Sequence, residues 1–280
     1  MLLKNTYNEF IKIIAKPRSY IGLAVLTALI LVILFAMKAD GSSYISFVTS
    51  SFEQTLSFNG NILNGNLIAF IILQMLIVHI PLLVALVTGD LISGEAAMGT
   101  IRMLATKPIS RTKIVLSKFI AGAVYTLILT IWLAFLALVV VKWMFGSGDM
   151  IVLNSSGLVI LQEADIFWRY GCSFIVAYLA LLTVSSLSIC LSAFAENSIG
   201  PIVSTMGIII LFTIIGSLDV TVFDSIKKFL FTTHMASWRS FFEDPISMKD
   251  IWQSISILLV HNIVLVSIAV IKFNRKDITS

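Results

Sequence analysis

The amino-acid sequence predicts an all-α polytopic membrane protein with six transmembrane helices, and three observations carry that prediction. Of the 280 residues, 58% are hydrophobic and only 12% are charged, whereas an average soluble domain carries about 25% charged residues. Six apolar runs are long enough to cross ~30 Å of hydrocarbon, which takes about 20 helical residues. All 15 Asp and Glu residues lie outside those runs. Because no polar block of domain size interrupts them, we expect residues 1–280 to form a single membrane domain.

The six predicted spans run from residue 20 almost to the C-terminus. Basic residues precede the first run, as in a signal peptide, but no small-residue cleavage site follows it, so we expect an uncleaved span. Most of the 19 Lys and Arg residues flank the spans on the side of the N-terminus. Because basic flanks resist translocation, both termini are predicted to be cytoplasmic. The predicted spans are Tyr20–Met37, Leu67–Val87, Phe119–Val141, Tyr170–Ala195, Ile199–Leu218 and Ile251–Ile271.

The residues before the first span have the pattern of an amphipathic helix. Apolar side chains recur on one helical face while Lys and Asn side chains fall elsewhere, and Pro17 ends the pattern. We predict an interfacial helix in the inner face of the bilayer. The alternative is a soluble helix that packs on a partner. The apolar residues of this face are Leu3, Tyr7, Phe10 and Ile14.

The polar stretch between spans two and three is the most informative part of the sequence. From Leu91 to Ala105 it has helical spacing, yet it is too short and too polar to cross a membrane. We predict a short helix at the cytoplasmic surface. Pro108 would end it, and Ser110 is placed to cap the next helix. The basic side chains expected near the lipid headgroups at the start of that next helix are Arg111, Lys113 and Lys118.

Three short motifs in this stretch occur in a characteristic order. They are a Gly-Glu element at Gly94–Glu95, a Gly-Thr pair at Gly99–Thr100, and a Pro-x-Ser-Arg turn that begins at Pro108. With them, the chain resembles the ABC-2 type permeases, the membrane subunits of one class of ATP-binding-cassette exporters. Within that family it is similar to the branch that contains permeases of nitrous-oxide-reductase maturation systems and bacitracin-type resistance exporters.

The resemblance implies a mechanical role for the stretch. The helix around Gly94–Leu104 would be a coupling helix that sits in a cleft of a separate ATPase subunit and receives its movement. Glu95 and Arg102 would form ion pairs that fix its seating. The alternative is an ordinary amphipathic loop helix that rests on the bilayer. The residues assigned to coupling are Asp90, Gly94, Glu95, Met98, Gly99, Thr100, Arg102, Pro108, Ser110 and Arg111.

The resemblance also implies how the chain is assembled. It implies a dimer with a second permease copy, identical or related, and two ABC ATPase subunits that bind ATP and Mg, so that this chain needs no cofactor. It implies a multi-pass exporter of the bacterial or archaeal cytoplasmic membrane. It further implies a partly re-entrant outer segment between spans five and six that covers the exit path. Substrates vary within the branch, so the substrate stays unidentified.

Catalytic motifs are absent from the sequence. A P-loop needs Gly-x4-Gly-Lys-Ser/Thr to hold phosphates, and the nearest approach, Gly94 to Gly99–Thr100, lacks the Lys. Neither His-Glu-x-x-His nor Gly-x-Ser-x-Gly occurs, so an enzyme is disfavoured. An ATP-independent secondary transporter stays open, although the predicted spans lack the Asp or Glu that proton relays use. A membrane scaffold also stays open, but it leaves the Gly-Glu to Ser-Arg stretch unexplained.

Several other polar residues have two interpretations. Four polar side chains within spans are possible substrate-path residues, with hydrogen bonding between helices as the alternative; they are Gln74, His79, His261 and Asn262. Ser and Thr residues of span four predict close helix packing. The aromatic-rich segment Asp219–Asp250 predicts helices that dip into the outer interface. The net charge of +4 is spread beside the spans, so it reflects membrane topology and not nucleic-acid binding.

Overall fold

The chain is a helical, multi-pass membrane protein. A computed structural model describes residues 2–49, 63–100, 109–154 and 157–276. Within these ranges six helices are long and apolar enough to cross a membrane, which confirms the predicted number and type of spans. Their bounds are Pro17–Gly41, His79–Ala97, Arg111–Phe145, Glu163–Phe194, Ile199–Ser217 and Met248–Arg275.

The N-terminal helix and span one meet at Pro17. Helix α1 covers Leu2–Ala15, and Pro17 begins α2, Pro17–Thr49. Proline suits the first position of a helix because the N–H that it lacks has no partner there. Asp40 has φ −141° and ψ 24°, which divides α2 into two helical parts. The spanning part, Pro17–Gly41, is longer than the predicted span.

Span two differs from the single helix predicted over residues 67–87. It is divided into α3, Gly65–Leu76, and α4, His79–Thr88. Pro81 explains the division, because it has no N–H for the carbonyl four residues earlier and its ring clashes with that carbonyl. Beyond α4, Gly89 keeps a helical conformation and α5 continues over Asp90–Ala97. The apolar helix therefore runs past the predicted end and carries two acidic residues with it.

Spans three and four are connected by a β-hairpin that the all-α prediction missed. Span three comprises α6, Arg111–Phe135, a π-helical turn, Leu136–Val140, and α7, Val141–Phe145. Strand β1, Met150–Asn154, pairs antiparallel with β2, Gly157–Leu161, and Met150 lies opposite Leu161. Helix α8, Glu163–Phe194, then forms span four. Asn64 Nδ2 and Asn66 Nδ2 donate to the carbonyls of Asp149 and Gly148 at 2.6 and 2.7 Å, which ties the hairpin to α3.

The segment between spans five and six folds onto the bundle. After α9, Ile199–Ser217, come α10, Thr221–Lys227, α11, Phe231–Met235, a 3-10 helix, Ala236–Phe242, and finally α12, Met248–Arg275. Only part of the apolar side chains of this segment are exposed. Val222 and Ile226 of α10 are exposed, but the rings of Trp238 and Phe242 are buried and lie 5.6 and 5.1 Å from the ring of Phe70.

Span four is the central helix of the bundle, in contact with α4, α5, α6, α9 and α12. Its small hydroxyl side chains lie at these contacts, as the packing interpretation predicts. Ser192 Oγ donates to the carbonyl of Gly89 at 2.7 Å, and Ser186 Oγ donates to Asn262 Oδ1 at 2.5 Å. Small residues allow helices to approach closely, and each hydroxyl satisfies a polar group that the bilayer interior cannot.

Candidate functional site

Four charged side chains from three helices form a cluster at one end of the bundle, in which Glu9, Glu95 and Lys118 are buried and Lys12 is exposed. Glu9 and Lys12 come from α1, Glu95 from α5 and Lys118 from α6. Lys118 Nζ lies 2.6 Å from Glu9 Oε2 and 2.7 Å from Glu95 Oε2. Lys12 Nζ lies 2.6 Å from Glu9 Oε1 and 2.8 Å from Glu95 Oε1. The two lysines and two glutamates thus alternate, and we call this arrangement the four-charge cluster.

Burial makes the four-charge cluster a strong constraint on the fold. Lys118 is 1% exposed, and Glu9 and Glu95 are each 6% exposed. Removing one partner of a buried ion pair leaves an uncompensated charge and costs about 3–5 kcal/mol. Lys118 was predicted near the lipid headgroups, but the structure places it inside the bundle, because two carboxylates there neutralise it. The cluster therefore fixes α1 and α5 against span three.

A second ion-pair group continues the four-charge cluster along α5. Asp90 Oδ2 lies 2.7 Å from Lys16 Nζ, and Asp90 Oδ1 lies 2.8 Å from Arg18 Nη1. A Cβ at Gly94 would overlap the Asp90 carboxylate. Glycine at this position therefore leaves room for a carboxylate that two cations hold in place. This packing gives the Gly-Glu element a physical reason: the glycine admits Asp90, and Glu95 enters the four-charge cluster.

The pKa values of the α1 side chains show that ion pairing outweighs burial. Burial alone would raise the pKa of Glu9, but the charges and hydrogen bonds of Lys118 and Lys12 hold it below its ordinary value. Burial alone would lower the pKa of Lys12, but hydrogen bonds and attraction to Glu9 and Glu95 raise it. Both side chains therefore stay charged at neutral pH.

The tip of α5 is an exposed part of the predicted coupling stretch. Met98 is 62% exposed, and Gly99 has φ +69°, a left-handed conformation that favours glycine. This turn ends α5 at Ala97, so the structure interrupts the helix that was predicted to continue through residue 105. Thr100 Oγ1 donates back to the Glu95 carbonyl at 3.2 Å. Arg102 and Pro108 lie outside the described residues.

Ser110 and Arg111 form the start of span three and contact the end of span six. Ser110 precedes the first residue of α6 as predicted, but its side chain makes no capping hydrogen bond. Arg111 Nη1 donates to the carbonyls of Asn274 and Lys276 at 3.0 and 2.7 Å. Arg111 therefore ties span three to the C-terminal end of α12, a role that the coupling assignment did not include.

The structure does not bring the four possible substrate-path residues to one place. His79 Nδ1 is 3.1 Å from the Met75 carbonyl, and His261 Nδ1 is 2.8 Å from the Ile257 carbonyl, each one helical turn away. Asn262 is buried, and its Nδ2 donates to Thr183 Oγ1 at 2.7 Å, which matches the hydrogen-bonding alternative. Gln74 is exposed and lines a polar cavity that is described next.

The polar cavity has a volume of about 610 Å³ and lies between α3, residues 227–243 and the start of α12. Its charged lining includes Lys228, Arg239, Glu243 and Asp250. Arg169 Nη1 of α8 donates to the carbonyls of Phe241 and Glu243 at 2.7 and 3.0 Å, so this wall is fixed to span four. Sequence reasoning missed the polar cavity, because these charges look like ordinary loop residues.

The four-charge cluster and the polar cavity lie at opposite ends of the bundle. Ser192 of α8 contacts α5 near the cluster, whereas Arg169 of the same helix contacts the cavity wall. Along a helix these two residues are roughly 35 Å apart at 1.5 Å per residue, about the thickness of a bilayer. A signal for the cluster was present in the sequence, since Glu9 lies on the polar face of α1 and Lys118 directly precedes a predicted span.

Comparison with known proteins gives a family but no activity. A search of curated proteins finds none that matches this chain. A family model described as a protein of unknown function, DUF2705, matches residues 24–279. The match covers five of the six spans completely and most of span one. With nearly its whole length matched, the chain belongs to the DUF2705 family.

Proposed function

We propose that the chain is the membrane-spanning permease subunit of an ATP-binding-cassette transporter, energised by a separate ATPase. One observation carries the proposal. Helix α5 continues span two, its Glu95 is held in the four-charge cluster, and one turn further on its tip at Met98 is exposed. A rigid element of this kind transmits a push at its tip to the bundle, because packed helices move as units and do not deform continuously.

The ion pairs assign different roles to the two halves of the coupling stretch. Glu95 is paired within the chain, so it anchors the stretch and does not contact the ATPase. The exposed residues from Ala97 to Gly99 supply the docking surface. A movement of this tip reaches α1 through Glu95 and Asp90, and it reaches span three through Lys118.

The exposure of the apolar face of helix α1 supports a position of this helix in the cytoplasmic interface of the bilayer. Leu3 is 82% and Tyr7 65% exposed, whereas Thr6 and Glu9 of the opposite face are buried against the chain. A soluble protein would bury the apolar face; a helix at a lipid surface exposes it. The cluster end, both termini and the Met98 tip then lie on the cytoplasmic side. The segment between spans five and six lies on the outer side and partly covers the exit path.

The proposed assembly contains two permease chains, identical or related, and two ATPase subunits in a bacterial or archaeal cytoplasmic membrane. Export is the proposed direction. ATP and Mg bind to the ATPase, and the chemistry of hydrolysis takes place there. The permease contributes the bundle that changes conformation when the two ATPases close.

Site-specific photocrosslinking from the α5 tip tests this function. The full chain carries a photoreactive amino acid in place of Met98 and is irradiated in its native membrane. We expect an adduct with a protein that contains a P-loop. The control position is Val203 of span five, which is 61% exposed and lies on an apolar helix, so it should give lipid adducts. An adduct at position 98 with an extracytoplasmic protein, or with lipid alone, would contradict the proposal.

A second candidate function is an ion-coupled carrier, and a specific observation favours it. The long helix of span two contains Asp90 and Glu95, both buried, whereas the predicted spans contained no acid. Buried carboxylates in a spanning helix are common parts of proton relays. A cavity of about 20 Å³ between the ion pairs has room for about one water molecule. Transport in vesicles that responds to a proton gradient and not to ATP would favour this carrier.

A further inference from the structure

Three charged side chains of the polar cavity have no partner among the described residues, whereas Asp250 accepts a hydrogen bond from Ser247 Oγ at 2.6 Å. Across residues 2–49, 63–100, 109–154 and 157–276, the side chains of Lys228, Arg239 and Glu243 form no hydrogen bond or ion pair. Lys227, by contrast, is paired with Asp224 at 3.0 Å. Side chains of both signs therefore face a common space with their charges available to a ligand.

The cavity walls also present unpaired amides. Gln74 of α3 and Gln253 of α12 line it, and neither side chain has a hydrogen-bond partner in the described ranges. Gln74 lies in an otherwise apolar helix, where an amide normally finds a partner on a neighbouring helix. Cations, two carboxylates and amides around about 610 Å³ suit a ligand group that carries both charges, because a purely anionic group would face Glu243 and Asp250.

Exposed apolar side chains lie next in sequence to two of the lining residues. Phe229, beside Lys228, is 70% exposed, and Ile226 and Val222, one and two turns before it, are 48% and 76% exposed. Trp252, beside Gln253, is 65% exposed. A patch that joins a polar cavity to apolar and aromatic side chains is typical of sites for molecules with a polar head and an apolar body.

We propose that the polar cavity is a binding site for the zwitterionic headgroup of an amphiphile. The negative group of the ligand pairs with Arg239 and Lys228, and its ammonium pairs with Glu243. The apolar body lies along Phe229 and Trp252. This site goes beyond the proposed permease function, because binding requires neither the ATPase nor the α5 tip. Failure of either proposal therefore leaves the other intact.

Equilibrium binding to the full chain tests the proposal. The chain is immobilised in the uncharged detergent dodecyl maltoside, and radiolabelled lysophosphatidylethanolamine is the probe. We expect saturable binding to one site. Dodecyl phosphate, which lacks the ammonium, and glycerophosphoethanolamine, which lacks the acyl chain, should each compete at least about tenfold less well, since each loses a charge-assisted contact or the apolar contact.

Variants then locate the site. Arg239→Gln and Glu243→Gln should each raise the Kd about tenfold, the cost of one charge-assisted hydrogen bond. Gln74→Leu should raise the Kd by a smaller factor than the two charge variants. Because leucine is compatible with the apolar helix α3, this variant still tests the site if either charge variant fails to fold. The controls Lys249→Gln and Asp219→Asn remove exposed charges outside the cavity and should leave the Kd unchanged.

Three results would overturn the proposal. Unsaturable binding, or equal Kd values in Arg239→Gln, Gln74→Leu and the controls, would mean that the cavity is only a solvated crevice. Equal competition by dodecyl phosphate would refute recognition of both charges. Equal competition by glycerophosphoethanolamine would refute the need for an apolar body.

Discussion

The two ends of the bundle use charge in opposite ways. At the cluster end, Lys118 is 1% exposed and touches two carboxylates at 2.6 and 2.7 Å. At the cavity end, Arg239 and Glu243 line about 610 Å³ of space without a partner in the described ranges. Buried charges that are fully paired cannot be removed singly without a large cost, whereas exposed unpaired charges can. The first arrangement stabilises a geometry, and the second leaves its charges free to bind.

The charged residues that stabilise the fold and those that are free to bind a ligand therefore lie in different parts of the molecule. Substitutions at the cluster end should change folding and the position of α5 together, so a lost activity could not be assigned to either change alone. Substitutions at the cavity end should change binding alone. The exposed tip at Met98 is the part of the cluster end that escapes this difficulty, because its side chain is 62% exposed and contributes to no ion pair.

The largest expected effect is the loss of Lys118. Lys118→Met removes the cation between Glu9 and Glu95 and leaves two buried carboxylates with Lys12 alone. We expect a destabilisation of about 3–5 kcal/mol, or no folded protein in detergent. Thermal unfolding followed by the loss of monodisperse protein measures it.

Two control substitutions sharpen the comparison between the ends. Lys113→Met removes an exposed lysine of the same helix, and Arg239→Gln removes an unpaired cation at the cavity end. Both should unfold like the parent protein, within about 0.5 kcal/mol. If Lys118→Met proved equally tolerated, the four-charge cluster would not hold α1 and α5 to span three, and the contrast would fail.

A smaller effect is expected at Gly94. Gly94→Ala places a Cβ where the Asp90 carboxylate lies, so Asp90 must move away from Lys16 and Arg18. We expect a destabilisation of about 1–3 kcal/mol, although alanine is otherwise favoured over glycine in helices by about 1 kcal/mol. Chemical unfolding in mixed micelles gives the difference.

Span five offers the control for this substitution. A Cβ at Gly207 meets no atom within 4 Å, so Gly207→Ala should be neutral or slightly stabilising. If Gly94→Ala behaved in the same way, the Asp90 carboxylate would not be fixed by its two cations.

The spans could be predicted from the sequence because a local property, about 20 consecutive apolar residues, determines them. Ile199–Ser217 differs from its prediction by one residue at the end. The break near Pro81 was foreseeable from the missing N–H, but the continuation to Ala97 was not. A polar residue such as Asp90 marks the end of an apolar run when only the sequence is read. In the structure the helix continues, because ion pairs with Lys16 and Arg18 stabilise the Asp90 carboxylate inside the bundle.

The candidate sites were less predictable because they depend on contacts between distant residues. Glu9 and Lys118 are 109 positions apart, and nothing local shows that they meet. The motif at Gly94–Glu95 drew attention to this stretch, but nothing local showed that Glu95 pairs with Lys12 and Lys118. The polar cavity forms only where three segments that are distant in sequence come together. The sequence therefore singled out Gln74, a polar residue within a predicted span, but not Arg239.

The smallest expected effect is a pH dependence at the cluster end that the cavity end lacks. The pKa of Glu9 is held below its ordinary value of 4.5, so the folded state binds the proton less tightly than the unfolded state does. The stabilisation from Glu9 is therefore fully present above about pH 4.5 and is lost as the pH falls through the lowered pKa. The difference in apparent Tm between the parent protein and Glu9→Gln should be constant from about pH 7 to pH 5 and shrink below that range.

Other carboxylates titrate in both proteins, so the difference between the two profiles isolates Glu9. Glu196→Gln, which removes an exposed carboxylate, should follow the parent profile at every pH. If the parent protein instead gained stability relative to Glu9→Gln as the pH fell from about 7 to 5, burial would outweigh the two lysines and the pKa of Glu9 would be raised. Glu9 would then be protonated more readily than an ordinary glutamate, as a proton carrier requires. The same measurement therefore also separates a structural ion-pair cluster from the proton relay of the second candidate function.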